Sequence, residues 1–73
     1  MSIKIGVIGI GGICRFAHIP ALKAAADVEV TALCDIVPER ATAVRDESFP
    51  QARVTADYRE LLAMEEIDAV DIC

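Results

Sequence analysis

The chain of 73 residues is 55% hydrophobic and has a formal net charge of −5. This apolar content excludes a disordered segment, and the scattered single Lys and Arg residues exclude the basic patch of a nucleic-acid-binding protein. No secretory signal is visible, and the apolar run near the N-terminus is too short to cross a bilayer.

The first predicted element is a strand over residues 3–8, which is apolar on both faces as a central parallel strand is. A glycine turn follows over residues 9–12 and leads into a predicted helix over residues 13–26. Pro20 lies inside this helix and cannot donate a backbone hydrogen bond. We therefore expect a bend or a break around residues 17–19.

The remaining elements repeat this alternation. In chain order they are a strand over 28–34, a helix from Pro38 to about Arg45, a polar loop over 46–51, a strand over 52–55, a short helix capped by Asp57, and a strand over 69–73. Glu60 lies three residues after Asp57, which predicts a capping box in which each side chain bonds the other residue's backbone.

The order β-α-β-α-β-α-β predicts an α/β fold with a parallel sheet and right-handed crossovers. Its usual strand order is 3-2-1-4, the first half of a Rossmann-type doubly wound sheet. No interior linker is visible, so residues 1–73 are predicted to form one unit, the N-terminal half of a dinucleotide-binding domain.

The run Gly9-Ile10-Gly11-Gly12-Ile13-Cys14 carries the predicted chemistry, because it follows a strand and opens a helix. Gly9 permits a tight turn, and Gly11 lets the backbone approach a pyrophosphate closely. Gly12 leaves further room at the helix start. The N–H groups of Gly12 and Ile13 are then expected to point at the phosphates, helped by the helix dipole.

Asp35 ends the second predicted strand, about 20 residues beyond Cys14, where the dinucleotide fingerprint has an acidic residue. A carboxylate there accepts hydrogen bonds from the ribose hydroxyls and repels a 2′-phosphate, which favours NAD over NADP. Arg40 weakens this preference, because it lies close enough to reach the adenine or a phosphate. The alternative role of Asp35 is a cap for the helix that starts at Pro38.

The predicted cofactor-binding residues are Gly9, Ile10, Gly11, Gly12, Ile13, Asp35 and Arg40, and no catalytic residue or metal site is predicted. Cys14 replaces the usual small third residue of the fingerprint and is interpreted as a packed thiol, with a reactive thiol as the alternative. His18 is expected to cap or pack near the bend, and Tyr58 to be half-buried on its helix.

Four acidic residues near the C-terminus do not have the spacing of metal ligands: Glu65, Glu66, Asp68 and Asp71. The first three are interpreted as solvated turn residues, and Asp71 as marking the exposed side of its strand. The odd number of cysteines, Cys14, Cys34 and Cys73, indicates reduced thiols and a cytoplasmic protein.

Five stretches occur in a specific order: Lys4–Gly9 with Gly11–Ile13, His18–Leu22, Ala32–Asp35 with Glu39–Ala41, Asp57–Leu62, and Ile67–Cys73. In this order they resemble the Gfo/Idh/MocA family, which includes glucose–fructose oxidoreductase and inositol dehydrogenase. The resemblance covers nearly the whole chain. It implies that Gly9, Gly11, Gly12 and Ile13 line the pyrophosphate and that Asp35 holds the adenosine ribose.

The resemblance also implies an enzyme that transfers a hydride between a nicotinamide cofactor and a sugar, cyclitol or related carbonyl compound. Family members continue with a Thr-Pro loop, a Glu-Lys-Pro motif and a substrate domain that often mediates homo-oligomers. These features do not occur within residues 1–73, so we expect a fragment that folds poorly alone. Two alternatives remain, namely a non-catalytic NAD-sensing module and another Rossmann enzyme, such as an amino-acid or semialdehyde dehydrogenase.

Overall fold

A four-stranded parallel sheet organises the part of the chain that the computed structural model describes, residues 2–73. In chain order the elements are β1 (Ile3–Ile8), a π-helical turn (Cys14–His18) that continues into α1 (Ile19–Ala24), β2 (Val28–Cys34), α2 (Pro38–Ser48), β3 (Arg53–Thr55), α3 (Tyr58–Leu62) and β4 (Ala69–Ile72). No helix in the described range is long and apolar enough to cross a bilayer.

The strand order is β3-β2-β1-β4, and every neighbouring pair is parallel. The predicted order 3-2-1-4 is therefore confirmed. β1 lies between β2 and β4, and the end of β1 is level with the ends of both neighbours, since Ile8 pairs with Cys34 and with Ile72. The loops after these strands consequently meet at one edge of the sheet.

The core has two parts. The larger cluster includes Val7, Ile10 and Leu33 with the inward residues Ala41 and Val44 of α2. The smaller cluster contains Ala32, Cys34 and Leu61, with Leu61 contributed by α3. Because a doubly wound sheet needs helices over both of its faces, this division matches the predicted architecture.

Gly6 lies where α3 packs closely on β1. A Cβ atom at this position would come within 2.5 Å of Leu61 Cδ2 and 3.0 Å of Ile67 Cδ1. The lack of a side chain at Gly6 therefore lets Leu61 reach its fully buried position.

The helix after the glycine turn is irregular in the region where Pro20 predicts a bend. Residues 14–18 form a π-helical turn, in which the Ile19 N–H donates to the Cys14 carbonyl oxygen, before regular α-helix begins at Ile19. π-Turns occur mostly as single turns within α-helices. The helix ends at Ala24, two residues before the predicted end.

The predicted end of α2 at about Arg45 is wrong, because the helix continues to Ser48. The Phe49 N–H donates to the Arg45 carbonyl oxygen at 2.9 Å, and Phe49 packs against the larger core cluster. Asp46 and Glu47 lie on the exposed side of this last turn. Their polarity therefore reflects a solvated helix face, and the predicted loop is correspondingly shorter.

The predicted N-cap of α3 is confirmed, since the Asp57 carboxylate accepts a hydrogen bond from the Arg59 N–H at 2.9 Å. The predicted capping box is wrong in both of its bonds, because the Asp57 carboxylate bonds the Arg59 N–H and not that of Glu60, and the Asp57 N–H does not donate to the Glu60 carboxylate. The Thr55 hydroxyl instead accepts from the Asp57 N–H at 3.1 Å and is 2.6 Å from Glu60 Oε1, to which it donates. Thr55 thus stands between the two partners of the expected capping box.

Replacing Asp57 by asparagine is expected to lower stability at neutral pH and to have little effect in acid. Hydrogen bonds from the Arg59 side chain and backbone hold the pKa of Asp57 below its usual 3.8. The charged carboxylate therefore stabilises the fold above this pH, and its contribution is lost as the pH falls through the lowered folded value. Asparagine retains a capping oxygen without the charge. Urea unfolding of the unmodified protein and of Asp57→Asn, from neutral pH down to acid pH, measures the difference in their free energies of unfolding. A difference that does not change with pH would contradict the expectation.

Candidate functional site

The turn after β1 depends on Gly9. Its φ is +90°, a left-handed conformation that residues with a side chain rarely adopt. Its N–H donates to the Cys34 carbonyl oxygen at 2.8 Å, which fixes the turn to the end of β2. A Cβ atom on Gly9 would lie 3.2 Å from the backbone oxygen of Cys73, so a side chain is disfavoured by space as well as by conformation.

The next two glycines face open space. Apart from the adjoining residues and the backbone of the same helix, no protein atom lies within 4 Å of a Cβ position built on Gly11 or Gly12. Ile13 is 66% exposed, and helical geometry begins at Gly12, so the first amides of this helix have no intrahelical acceptor. This arrangement fits a pyrophosphate, which needs both a close backbone approach and free N–H donors.

Asp35 is only 6% exposed and ties the glycine turn to the loop after β2. Its Oδ2 accepts from the buried Ile10 N–H at 2.7 Å, and its Oδ1 accepts from the Val37 N–H at 2.8 Å. An ionised carboxylate has about four acceptor positions, so two remain for a ligand. The alternative role of Asp35 as the N-cap of α2 is wrong. Val37 occupies the N-cap position, and no side chain makes a capping bond there.

A cleft of about 340 Å³ opens at this edge of the sheet. Five of the predicted cofactor-binding residues line it: Gly9, Gly11, Ile13, Asp35 and Arg40. Gly12 borders a neighbouring groove between the first two helices instead. The Ile10 side chain is fully buried in the core and its N–H is bound by Asp35, so this residue supports the cleft from behind.

The cleft also has lining residues that the sequence analysis did not identify: Ile36, Ala56, Tyr58 and Cys73. Ile36 is 88% exposed although it lies only two residues after the buried end of β2. An exposed aliphatic residue next to the acidic residue of the fingerprint is a signal that points to this rim. Tyr58 is about half exposed on α3, as predicted.

His18 and Asp71 form a side-chain hydrogen bond that the sequence did not predict. His18 Nδ1 lies 2.8 Å from Asp71 Oδ2 although the residues are 53 positions apart. The interpretation of Asp71 as marking an exposed strand face is therefore wrong, since its side chain is three-quarters buried. A carboxylate inside an otherwise apolar strand is the signal that predicts a buried partner.

The fully buried Cys14 supports the packed-thiol interpretation. Burial raises the pKa of Cys14 to about 12, and the side-chain hydrogen bond to Cys73 adds to this effect. Cys14 is therefore a neutral thiol at physiological pH, which disfavours the reactive alternative.

The other acidic residues near the C-terminus separate from Asp71. Glu65 is exposed, Glu66 lies 3.7 Å from an Arg53 nitrogen, and Asp68 Oδ2 accepts from the Lys4 N–H at 2.9 Å. Glu65 and Glu66 therefore lie at the surface, Asp68 bonds the backbone next to the start of β4, and the three carboxylates do not form a cluster.

Comparison with known proteins identifies a family and confirms the fold. The sequence model GFO_IDH_MocA, described as an oxidoreductase family with an NAD-binding Rossmann fold, matches residues 3–73. An inositol 2-dehydrogenase/D-chiro-inositol 3-dehydrogenase of Lactiplantibacillus plantarum is 38% identical over 68 residues, which cover 92% of this chain and 19% of that protein. The inositol 2-dehydrogenase of Salmonella typhimurium is 37% identical over 73 residues, which cover 99% of this chain and 21% of that protein.

Two solved structures share the fold closely. A myo-inositol dehydrogenase from Lactobacillus casei, in complex with NAD(H) and myo-inositol, superposes with a TM-score of 0.91 at 39% identity, covering 100% of this chain and 22% of that one. A variant of a 3-ketoreductase from Actinomadura kijaniata, in complex with TDP-benzene and NADP, gives a TM-score of 0.88 at 30% identity, covering 99% and 22%. The chain thus spans about a fifth of the length of the relatives it matches.

Proposed function

Because the chain belongs to the Gfo/Idh/MocA oxidoreductase family, with its NAD-binding Rossmann fold, we propose that it binds NAD for hydride transfer to or from a sugar, cyclitol or related small hydroxy or carbonyl compound. One observation carries the proposal. The open glycine turn and the Asp35 carboxylate border the same cleft and are joined by the hydrogen bond from Ile10 to Asp35.

The proposed binding mode assigns the pyrophosphate to the turn formed by Gly9, Gly11, Gly12 and Ile13. Support comes from the open space above Gly11 and Gly12 and from the amides at the helix start. Bound NAD would supply the hydride acceptor, and these residues bind and orient it.

Asp35 is proposed to accept hydrogen bonds from the adenosine ribose, and Arg40 to lie beside the adenine. Support comes from the two acceptor positions that Asp35 retains and from the position of Arg40 on the same cleft. A carboxylate at this point repels a 2′-phosphate, so we propose NAD rather than NADP as the cofactor.

The ratio of NADP and NAD affinities tests this assignment. Replacing Asp35 by alanine is expected to shift the ratio roughly tenfold towards NADP, because a ribose hydrogen bond and a charge repulsion are both lost. Titration calorimetry on the purified protein measures both dissociation constants. Partial unfolding weakens both affinities equally and cancels in the ratio.

Val44→Ala is the matched control, because Val44 is buried in the core and does not line the cleft. Its ratio is expected to equal that of the unmodified protein. An unchanged ratio in the Asp35 variant would remove the ribose role and leave the glycine turn as the remaining basis for dinucleotide binding.

The proposed activity is tested on the purified full-length protein, by following NAD reduction spectrophotometrically across a panel of polyols and sugars. Oxidation of at least one cyclitol or sugar is expected. Tight NAD binding without turnover on any compound would instead favour the NAD-sensing module. We propose further that residues 1–73 form the N-terminal half of the dinucleotide-binding domain of a cytoplasmic, homo-oligomeric enzyme. Its three cysteines are free thiols, which suits a reducing compartment.

A further inference from the structure

Three side chains of different chemistry meet beside the carboxyl end of β4. They are His18, Asp71 and Cys73, and one ligand atom from each lies within 4.8 Å of the other two. His18 comes from the π-helical turn, whereas Asp71 and Cys73 come from the opposite end of the described chain. The pairing of β4 with β1 brings them together, because it aligns Ile72 with Ile8 directly before the glycine turn.

The cluster is partly buried. The His18 side chain is 36% exposed and the Asp71 side chain 25% exposed, with Nδ1 and Oδ2 only 2.8 Å apart. The sulfur of Cys73 completes a group of three ligand atoms that are close enough to share one ion.

The electrostatics of the cluster favour a cation. The Asp71 carboxylate and a Cys73 thiolate bring two negatively charged ligands close together, and a divalent ion between them is stabilised by both. Their two negative charges then balance the charge of the ion.

We propose that His18, Asp71 and Cys73 form a binding site for a divalent transition metal ion of the zinc class. An imidazole nitrogen, a carboxylate oxygen and a thiolate sulfur are all ligands of zinc, and the thiolate disfavours magnesium and calcium. On binding, the Cys73 thiol releases one proton to solvent and its sulfur forms the metal bond. The hydrogen that joins His18 Nδ1 to Asp71 is given up to solvent, and Nε2 takes up a proton in exchange, so that Nδ1 offers its lone pair to the metal. No group is oxidised or reduced.

Cobalt(II) is the spectroscopic probe for this site. The purified, reduced protein without dinucleotide is titrated with cobalt chloride, and one equivalent is expected to produce the charge-transfer absorption of a cobalt–thiolate bond. Zinc chloride is expected to displace the cobalt and abolish the band. Since NAD is absent, failure of this experiment leaves the proposed dinucleotide binding untouched.

Cys73→Ala is expected to abolish the cobalt–thiolate band, and His18→Ala to weaken cobalt binding at least tenfold. Cys34→Ala is the matched control, because Cys34 belongs to the smaller core cluster and not to the metal cluster. It is expected to keep the band at full strength. Far-UV circular dichroism identifies any variant that has lost the fold, and Asp71→Asn then replaces that variant in the comparison.

The proposal is overturned if the unmodified protein gives no cobalt–thiolate band, or if the band persists in Cys73→Ala. It is equally overturned if folded His18→Ala and Asp71→Asn both bind cobalt as tightly as the unmodified protein. That result would indicate coordination by a cysteine alone.

Discussion

Replacing Asp35 by alanine is expected to lower the free energy of unfolding by about 3 kcal/mol, because the hydrogen bonds from two backbone N–H groups to its carboxylate are lost together. The Ile10 N–H is buried and the Val37 N–H is partly buried, so water replaces the carboxylate only poorly. Small domains have net stabilities of roughly 5–15 kcal/mol, which makes this single change a large fraction of the total.

Chemical denaturation followed by far-UV circular dichroism measures this loss. The control is Asp46→Ala, which removes a carboxylate on the exposed side of α2 whose observed partner is its neighbour Arg45 at 3.1 Å. That change is expected to cost less than about 0.5 kcal/mol. Equal losses in the two variants would show that the hydrogen bonds of Asp35 do not hold the turn.

Gly9→Ala is the second change with a large expected effect, a loss of about 2 kcal/mol in stability. A residue with a side chain in a left-handed conformation costs roughly 1–2 kcal/mol. The new Cβ atom would also lie 3.2 Å from the Cys73 backbone oxygen, which belongs to the main chain and yields less easily than a side-chain end. Thermal unfolding and denaturant titration both report this loss.

Gly12→Ala is the matched control, because Gly12 has no positive φ and open space around its Cβ position. Its stability is expected to change by less than about 0.5 kcal/mol. The added methyl group instead occupies space proposed for the pyrophosphate, so NAD affinity is expected to fall. Equal stability losses in Gly9→Ala and Gly12→Ala would contradict the conformational argument.

The sheet was predictable because its signals are local. The apolar run of β1, the glycines after it and the alternation with helices specify parallel strands and their order. The bounds of β1 agree to the residue. By contrast, the last turn of α2 was missed, because Asp46 and Glu47 have the polarity of a loop and only the packing of Phe49 distinguishes a helix.

The contacts that join distant segments were not predictable in the same way. The pairing of His18 with Asp71 depends on the register between β4 and β1, and sequence patterns do not specify register to one residue. The bond from Ile10 to Asp35 depends on the direction of one N–H, which the left-handed Gly9 determines. The sequence therefore predicted Asp35 as a ligand for ribose or as a helix cap, and its bond with Ile10 was missed.

The two hydrogen bonds of Asp35 also bear on how such a protein evolves. A mutation that removes this carboxylate to admit a phosphorylated ribose weakens the fold in the same step. Selection for a different cofactor therefore acts more readily on the neighbouring rim. Ile36 is 88% exposed there, and its replacement leaves the backbone connections of the turn in place. The proposed preference for NAD is accordingly coupled to folding stability at Asp35, whereas Ile36 can change without that cost.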